Sequence, residues 1–511
     1  MNSPVKRLLI VGGGSAGWLT AGLIAAKHGK SVNVTLIESP DIQPIGVGEG
    51  TWPSMKATLK AIGIRETDFI IECDASFKQG SRFDNWGRAD GHRYYHPFTL
   101  PSKYPEINLA PFWQPHSDQV SFTDSVCPQG VLSDHHRAPK LITTPEYAFM
   151  ANYGYHLDAG KFGECLRKHC TEQLHVTHIR DNIVSVSNDE DGYIKAVDTE
   201  KSGPIEADLF IDCTGTRGIL INQHYQVPFV SAKQHLFNDS ALAIQVPYED
   251  EDAPIESCTI ATAQTSGWIW NIGLPSRRGI GHVYSSSHID DDEAEQQLRN
   301  YISTLHNNAD ELSVRKISIN PGYRQTPWHK NCVAVGMASG FIEPLEASAL
   351  VMVELSAQMI SEQFPADRTM MSLVAKRFNR KFVQRWQQII DFLKLHYVLS
   401  AREDSDYWVD NKSEESMTES LMELLTTWQY QSPYLYDSVY REELFPSASN
   451  QFVFFGMDQR CHSPIPDDKQ QQRVAHELFQ QNAQKTKQMM ASMPSNRELI
   501  NKIKQFGLSR V

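Results

Sequence analysis

Three glycines near the start of the chain have the spacing of a dinucleotide-binding loop. Gly12, Gly14 and Gly17 follow the pattern Gly-x-Gly-x-x-Gly, and Glu38 lies 21 residues after the last of them. Glycines let the backbone turn tightly and approach a pyrophosphate at a helix N-terminus, while the acid accepts hydrogen bonds from ribose hydroxyls. The predicted cofactor-binding residues of this loop are Gly12, Gly13, Gly14, Ser15, Ala16, Gly17 and Glu38.

The flanking segments predict the strand–helix–strand unit that such a loop requires. An apolar run over residues 5–11 precedes the glycines, and a helix-forming stretch over residues 19–28 ends at Gly29. A second apolar run over residues 32–37 leads directly into Glu38. This is about the length of one βαβ unit. The unit alone leaves FAD and NAD open, and a glycine-rich loop without a ligand is the remaining interpretation.

Later glycine-rich segments favour FAD. Three more glycines fall within residues 46–50, where a backbone pressed against a flat ring would need them, and we expect Val47, Gly48 and Glu49 to contact the cofactor. Residues 207–215 and 333–340 each read as an apolar strand ending in a glycine turn, and the second includes Met337. Strands this far apart suit an FAD domain with an inserted substrate domain, although ordinary α/β strand ends would look similar.

Composition excludes several classes of protein. The chain has 511 residues, 41% hydrophobic and 21% charged, which is ordinary globular usage. A net charge of −13 argues against nucleic acid as a partner, and no apolar stretch approaches the roughly 20 residues of a membrane span. Eight scattered cysteines and the absence of a signal-peptide pattern predict a cytoplasmic protein with reduced thiols. We expect no metal, because neither HExxH nor zinc-ligand spacing occurs.

The second half of the chain changes character at Glu346. Phe378, Phe382 and Trp386 begin an apolar stripe with helical spacing, and the last forty residues predict a peripheral helix. The predicted fold is α/β, a Rossmann-like FAD domain of the flavin-monooxygenase type with interleaved substrate segments. We place this discontinuous domain at residues 1–345, with substrate segments at roughly 80–170 and 220–330. A mostly helical region at 346–511 completes the substrate pocket.

Several motifs together resemble the flavin-dependent, tryptophan-type halogenases. The glycine motif continues into Trp18, an unusual residue at that place, and residues 267–272 read Gly-Trp-Ile-Trp-Asn-Ile. Phe77-Lys78 stands before Asn85-Trp86, and residues 341–346 read Phe-Ile-Glu-Pro-Leu-Glu. Asp391-Phe392 through His396-Tyr397 to Trp408 extends the match, which covers residues 5 to about 410.

The resemblance implies a reaction in two places. Such enzymes take reduced FAD (FADH2) from a separate flavin reductase and use dioxygen and a halide to form hypohalous acid. The acid passes through an internal tunnel to a lysine, and an electron-rich aromatic ring receives the halogen. An enclosed passage is needed because free hypohalous acid would oxidise whatever lies nearby. The Trp-x-Trp segment lies near the flavin in this family and is thought to prevent direct hydroxylation of the substrate.

The resemblance also implies the site residues. Lys78 is the delivery residue, either polarising the hypohalous acid by a hydrogen bond or forming a haloamine. Glu346 is the carboxylate that stabilises the cationic ring and removes its proton. His96 and Phe98 sandwich the aromatic substrate. The halide is held by backbone amides, here those of Ser348 and Ala349.

This sequence departs from the family pattern at two places that bear on specificity. Glu-Ala-Ser-Ala replaces the usual Glu-Ser-Thr-Gly at 346–349, and Gly273 replaces the proline after the Trp-x-Trp segment. The substrate therefore stays open among free tryptophan, a larger indole, a phenol and a peptide-borne ring. Chloride and bromide both stay open, and so does the position that is halogenated.

Two other functions remain as alternatives. An aromatic monooxygenase of the hydroxylase type shares the fold, and a flavin-binding protein without turnover would need neither Lys78 nor Glu346. No second nucleotide-binding unit for NADPH is visible in the sequence, which agrees with an external flavin reductase as partner. A homodimer is a family-level expectation.

Overall fold

The computed structural model describes residues 4–42, 48–437, 444–462 and 466–510, so that Val47 lies outside the described residues. The strands are β1 (Arg7–Val11), β2 (Asn33–Glu38), β3 (Gly48–Gly50), β4 (Ser76–Lys78), β5 (Gly80–Asp84), β6 (Arg93–Pro97), β7 (Gly154–Asp158), β8 (Thr177–Arg180), β9 (Ile183–Asn188), β10 (Ile194–Thr199), β11 (Gly203–Glu206), β12 (Leu209–Asp212), β13 (Phe229–Ser231), β14 (Ser240–Pro247), β15 (Thr259–Gln264), β16 (Gly267–Gly273), β17 (Arg277–Tyr284), β18 (Arg315–Ser318), β19 (Gly322–Arg324), β20 (Trp328–His329), β21 (Cys332–Ala334) and β22 (Gly340–Phe341).

The helices complete the description of the secondary structure. They are α1 (Ser15–His28), α2 (Met55–Ile62), α3 (Glu66–Glu72), α4 (Ala110–Trp113), α5 (Phe122–Val126), α6 (Gln129–Asp134), α7 (Ala159–Glu172), α8 (Asp291–Ser303), α9 (Ser348–Glu362), α10 (Arg368–Val398), α11 (Asp406–Asp410), α12 (Glu419–Trp428), α13 (Ser447–Gly456), α14 (Lys469–Ser492) and α15 (Asn496–Phe506). Among the described residues, no helix is both long and apolar enough to cross a membrane.

The first of two compact units comprises residues 1–75, 157–232 and 320–387. Its main sheet has the order β20-β21-β12-β1-β2-β8, and β21, β12, β1 and β2 pair in parallel. The three strands that end in glycine turns are therefore neighbours in one sheet, as the sequence pattern predicts. The apolar run from Leu8 to Val11 is buried on both faces of this sheet, which is typical of parallel strands.

Helices and a hairpin surround this sheet within the first unit. α1 packs against α7 and α9. β9 and β10 form an antiparallel hairpin. A core cluster that includes Leu9, Val11, Phe210 and Cys332 packs the sheet against the segment around Leu220.

The second unit comprises residues 76–156, 233–319 and 388–511. Its sheet has seven strands in the order β18-β14-β17-β16-β15-β5-β6. α8 begins after Asp290, whose side chain accepts a hydrogen bond from the Glu293 N–H and so caps the helix. Leu298 and Ile302 of α8 pack in the core of the sheet with Ile269 and Ile280.

Two segments differ from the prediction. Residues 80–160 contain the strands β5 and β6 and several short helices, where the low helical periodicity predicts irregular structure. The end of the chain forms two helices, α14 and α15, and α15 is not peripheral. Its residues Asn496, Leu499 and Ile500 are fully buried. A capping box formed by Ser495 and Glu498 begins the helix.

Candidate functional site

The loop between β1 and α1 requires its glycines for different steric reasons. A Cβ on Gly12, whose φ is +111°, would lie 2.3 Å from the carbonyl oxygen of Cys213. A Cβ on Gly17 would lie 1.9 Å from the carbonyl oxygen of Gly12, so glycine lets α1 pack closely on the loop. A Cβ on Gly14 would meet nothing within 4 Å. Gly14 thus borders open space, which is where this fingerprint receives a pyrophosphate.

The N-terminus of α1 is suited to an anion. Its N-cap is Gly14, and no side chain caps it. The first N–H groups of a helix have no partner within the helix, and the helix dipole favours negative charge there. Ser15 and Ala16, which begin this helix, line a cavity.

This cavity, of about 950 Å³, lies within the first unit and collects most of the predicted cofactor residues. The predicted residues that line it are Gly12, Gly13, Gly14, Ser15, Ala16, Glu38, Glu49, Met337, Ser348 and Ala349. Gly17 and Gly48 do not line the cavity. Gly17 instead allows α1 to pack closely on the loop. The open face of the loop, the acid and the volume together fit a dinucleotide.

Charged groups in the wall of the cavity carry both signs. The guanidinium groups of Arg167, Arg180 and Arg217 line it, and they suit phosphate oxygens. Glu49 also lines it, and burial raises the pKa of this carboxyl to about 7. Near neutral pH the side chain of Glu49 therefore exchanges a proton readily, whereas an exposed glutamate would stay ionised.

The start of α9 forms another part of this wall. The indole N–H of Trp52 donates to the backbone oxygen of Glu346 over 2.8 Å, and Glu346 itself is buried. Ala347 is left-handed, with φ 53° and ψ 41°, and α9 begins at Ser348 without a side-chain cap. Ser348 and Ala349 carry the first N–H groups of α9, and both residues line the cavity. This helix N-terminus can therefore hold an anion.

A buried carboxyl fixes α9 further along. Glu354 accepts hydrogen bonds from the hydroxyls of Ser54, over 3.1 Å, and Thr58. Burial raises the pKa of Glu354 to about 7, against the two hydroxyl bonds, which lower it. Together with Trp52, these contacts attach residues 52–58 to the helix that follows Glu346.

Lys78 lies in the second unit, at the end of β4. Only 1% of the residue is exposed, although lysine is almost never fully buried unless it is paired. Its Nζ lies 5.4 Å from the centre of the Phe98 ring. β4 pairs with β7 so that Ser76 faces His156, and burial together with the charge of Lys78 holds the pKa of His156 well below its usual range. This histidine is therefore neutral beside the lysine.

Distant residues hold β4 in place. The side-chain oxygen of Asn496 accepts from the Phe77 N–H over 3.4 Å, and its amide nitrogen donates to the Phe77 oxygen over 3.0 Å. Ser76 donates to the oxygen of Gly273 over 2.6 Å. Sequence reasoning missed Asn496. Its capping-box context marks a helix start but says nothing about a partner 419 residues away.

His96 and Phe98 lie at the end of β6, in the same unit as Lys78. The Phe98 N–H donates to the oxygen of Gln79 over 3.0 Å, which ties this segment to the residue after Lys78. The Nε2 of His96 lies 2.8 Å from the hydroxyl oxygen of Ser449. The structure therefore brings Lys78 and Phe98 into contact and places His96 two residues away, on a strand whose partner is β5.

Aromatic rings surround His96. Its ring centre lies 5.4 Å from that of Phe392 and 6.3 Å from that of Phe452. The Trp-x-Trp segment lies on β16 of the same unit, where Trp268 is fully buried with its ring centre 6.3 Å from that of Trp86. Trp270 covers Gly281, where a Cβ would lie 2.2 Å from the indole.

A family model described as "Tryptophan halogenase" matches residues 7–471 of the chain. Among curated proteins, the chain is 34% identical over 429 residues to the tryptophan 7-halogenase RebH of Lentzea aerocolonigenes, covering 81% of this chain and 80% of that protein.

Solved structures agree with this match. A tryptophan halogenase from Shewanella frigidimarina NCIMB 400 is 50% identical, with a TM-score of 0.97, covering 100% of this chain and 99% of that one. The flavin-dependent tryptophan C-6 halogenase (chlorinase) Tar14, from taromycin biosynthesis, is 33% identical with a TM-score of 0.92, covering 98% of this chain and 100% of that one.

Proposed function

The chain belongs to the tryptophan halogenase family and is an FAD-dependent halogenase, and from this premise we propose how its own residues carry out the reaction. We propose that it adds electrophilic halogen, derived from chloride or bromide, to an electron-rich aromatic ring of the indole type. Dioxygen is the co-substrate, FADH2 is the electron donor, and Lys78 delivers the halogen.

The observation that carries this proposal is the burial of Lys78. A buried ammonium group is unfavourable unless something compensates for its lost hydration. Lys78 has only 1% of its surface exposed and lies over an aromatic ring, with a neutral histidine on the neighbouring strand. Burial keeps the side chain of Lys78 away from bulk water, as delivery of hypohalous acid to a ring requires, and the resemblance to the family assigns this lysine that role.

Residues of the cavity account for binding of the cofactor. The N-terminus of α1 at Gly14 receives the pyrophosphate, and Glu38 accepts from the ribose hydroxyls. Glu49 and Met337 line the remaining wall, and we propose that they contact the flavin. When bound there in its reduced form, FAD supplies two electrons, so that dioxygen and a halide ion yield hypohalous acid and water.

The halide is proposed to lie at the start of α9. The N–H groups of Ser348 and Ala349 begin this helix, and both residues line the cavity. Ala347, with its left-handed backbone, is the single residue between Glu346 and the start of α9. A helix N-terminus stabilises an anion without a cationic side chain, which keeps the halide available for reaction.

Lys78 acts on the hypohalous acid. In one form of the proposal its ammonium donates a hydrogen bond to the oxygen and so makes the halogen more electrophilic. In the other form its amine takes the halogen and becomes a haloamine. In both forms a ring carbon forms the new bond to halogen, the ring proton passes to the carboxylate of Glu346, and water is the other product.

Substrate and partners follow the same reasoning. We propose that His96 and Phe98 contact the aromatic ring, since Phe98 lies next to Lys78 and Ser449 orients the imidazole of His96. Free tryptophan, larger indoles, phenols and peptide-borne rings are the candidate substrates. A separate flavin reductase supplies FADH2. A cytoplasmic location and a homodimer remain predictions.

The test supplies purified enzyme with FAD, NADH, a flavin reductase, dioxygen and a panel of indoles and phenols, in chloride or in bromide. We expect products whose isotope pattern shows one halogen, and we expect Lys78→Met to abolish them while FAD still binds. Lys140→Met is the matched control, because Lys140 is also buried and lies 5.6 Å above the Tyr153 ring, in the same unit.

Three results would contradict the proposal or a part of it. Oxygen insertion without halide that persists in Lys78→Met would indicate a hydroxylase. Binding of FAD without any substrate-dependent oxygen consumption, across the whole panel, would indicate a flavin-binding protein without turnover. Loss of halogenation in Lys140→Met to the same degree as in Lys78→Met, with both variants folded, would remove the specific role of Lys78.

A further inference from the structure

We propose that His178, supported by Trp18, is a positioning residue that orients Glu38 for the adenosine ribose of FAD. This inference rests on the proposed binding of FAD. It goes beyond that proposal because it names the residue that holds the Glu38 carboxylate in the orientation for binding the ribose. All three residues belong to the first unit, and His178 and Glu38 both line its cavity.

The central contact is a short hydrogen bond. The Nε2 of His178 lies 2.7 Å from Oε1 of Glu38. An ionised carboxylate can only accept, so Nε2 carries the hydrogen in this bond. His178 lies on β8, which pairs in parallel with β2 and sets His178 opposite Leu36, two residues before Glu38. The sheet register therefore brings the imidazole to the carboxylate at the end of β2.

Trp18 packs against the imidazole of His178. The indole meets the His178 ring edge to face, with ring centres 5.0 Å apart and an interplanar angle of 76°. Trp18 is only 1% exposed and lies in the first two turns of α1, directly after the last glycine of the fingerprint. A large buried indole at this position has no part in binding a pyrophosphate, whereas contact with His178 gives it a role.

The choice of glycine at position 13 is an independent sign of the same arrangement. The fingerprint accepts any residue between its first two glycines. Here a Cβ on Gly13 would lie 1.6 Å from Oε2 of Glu38. The carboxylate therefore rests directly on the loop, with Oε1 bound by His178 and Oε2 against Gly13. Only glycine at position 13 allows this orientation, and it sets the acid beside the space that borders Gly14.

Other charges near Glu38 do not replace the histidine. Arg167 on α7 is attracted to Glu38, whose charge helps to raise the pKa of this arginine, but the largest cause is its hydrogen bond to Glu164. Arg180 on β8 stands opposite Glu38 in the sheet register, and Asp41 and Asp181 also border the cavity. Attraction by a nearby charge does not fix the orientation of the Glu38 carboxylate, whereas a hydrogen bond from His178 does.

The test measures binding of oxidised FAD and of an FAD analogue whose adenosine ribose lacks the 2′-hydroxyl, by isothermal titration calorimetry. The native enzyme should bind FAD more tightly than the analogue. His178→Ala should weaken FAD binding about tenfold, the size expected for a hydrogen bond to a charged group, and leave binding of the analogue nearly unchanged. His178→Gln keeps a donor at the position of Nε2 and should restore most of the affinity.

Two further variants complete the design. Glu38→Ala should lose the same discrimination, and His178→Ala added to Glu38→Ala should have no further effect, because the two residues then act as one unit. His169→Gln is the matched control, since this histidine on α7 bonds the oxygen of Ile62 over 3.0 Å, within the same unit.

Several outcomes would overturn the inference. They are equal weakening of FAD and analogue by His178→Ala, additive effects in the double variant, and a native enzyme that does not distinguish the two ligands. Because binding is measured without turnover, these outcomes are separate from a failure of halogenation. An enzyme that binds no FAD would instead contradict the proposed cofactor.

Discussion

The glycine loop and the strand that carries Lys78 are built in opposite ways. The residues of the loop are local in sequence: β1, the glycines and α1 all fall within residues 7–28, and the Cβ contact that requires Gly17 is with Gly12 itself, although Gly12 also packs on Cys213. β4 depends on distant partners, among them Asn496, which lies 419 residues from Phe77. A local fingerprint can therefore identify the first site, whereas the second is stabilised by contacts that no local pattern encodes.

The largest expected effect concerns two glycines of the loop. Gly17→Ala should lower the free energy of unfolding by about 3 kcal/mol or more and abolish FAD binding, because its Cβ would overlap a backbone oxygen that cannot move easily. Gly14→Ala should change stability by less than about 1 kcal/mol and still weaken FAD binding more than tenfold, because its Cβ enters the space of the pyrophosphate. Chemical denaturation and FAD titration measure the two quantities.

Comparable stability losses in both variants would contradict this separation. The loop would then tolerate no side chain anywhere, and the open space at Gly14 would have no special meaning. Gly163→Ala is a control for the effect of a Cβ on stability. Gly163 lies on α7 of the same unit and also lines the cavity, and a Cβ there would meet nothing within 4 Å.

Predictability from sequence follows the same division. Spacing predicted the glycine loop and Glu38, and the strand-to-glycine pattern predicted that β12 and β21 belong to the same domain as β1, because each of these signals is contained in a few consecutive residues. Lys78 could be named only through resemblance to a family. Neither Asn496 nor Ser449 could be found, because an asparagine or serine on a helix gives no sign of the strand or imidazole it will bond.

Two buried groups, one in each unit, should contribute to stability with opposite dependence on pH. Glu354 in the first unit has a pKa raised from 4.5 to about 7, so it favours folding when protonated and its contribution is lost as pH rises through 7. His282 in the second unit has a pKa lowered from 6.5 to about 4, so its contribution is lost as pH falls below 6.5. Each shift corresponds to about 3 kcal/mol.

Two variants isolate these contributions. The stability of Glu354→Gln relative to the native enzyme should rise between pH 4.5 and 7, because the amide still accepts from Ser54 and Thr58 but carries no charge. The relative stability of His282→Asn should fall over the same range, since the amide can replace the bond that His282 makes to the oxygen of Ala294, 3.0 Å away. Urea denaturation at several pH values gives both curves. Parallel slopes for the two variants would contradict the opposite contributions of Glu354 and His282.

A smaller effect is expected from Asn496→Ala, which should disturb β4 and Lys78 but not the glycine loop. Asn496→Ala removes the bonds to both backbone groups of Phe77, and a buried group left without its partner costs about 1–3 kcal/mol. We expect halogenation to fall about 30-fold, because β4 and Lys78 shift, while the Kd for FAD changes less than twofold. The measurements are steady-state halogenation and FAD titration.

Asn482→Ala is the matched control for this variant. Asn482 is also a buried asparagine of the second unit, and its side chain donates to the oxygen of Asp124 over 2.8 Å on a different segment. Its replacement should lower stability without a comparable loss of halogenation. If both variants lost halogenation equally, general destabilisation would explain the result better than displacement of Lys78.

The smallest expected effect lies at His96. Ser449→Ala removes a bond of 2.8 Å to Nε2 of His96, which is worth about 0.5–1.5 kcal/mol, so KM for the aromatic substrate should rise about fivefold with little change in kcat. Ser447→Ala, two residues earlier on α13, removes a bond of equal length to the hydroxyl of Tyr104 and should leave KM within twofold. A fall in kcat rather than a rise in KM would mean that Ser449 acts on the halogen-transfer step, and His96 would then belong with Lys78 rather than with substrate binding.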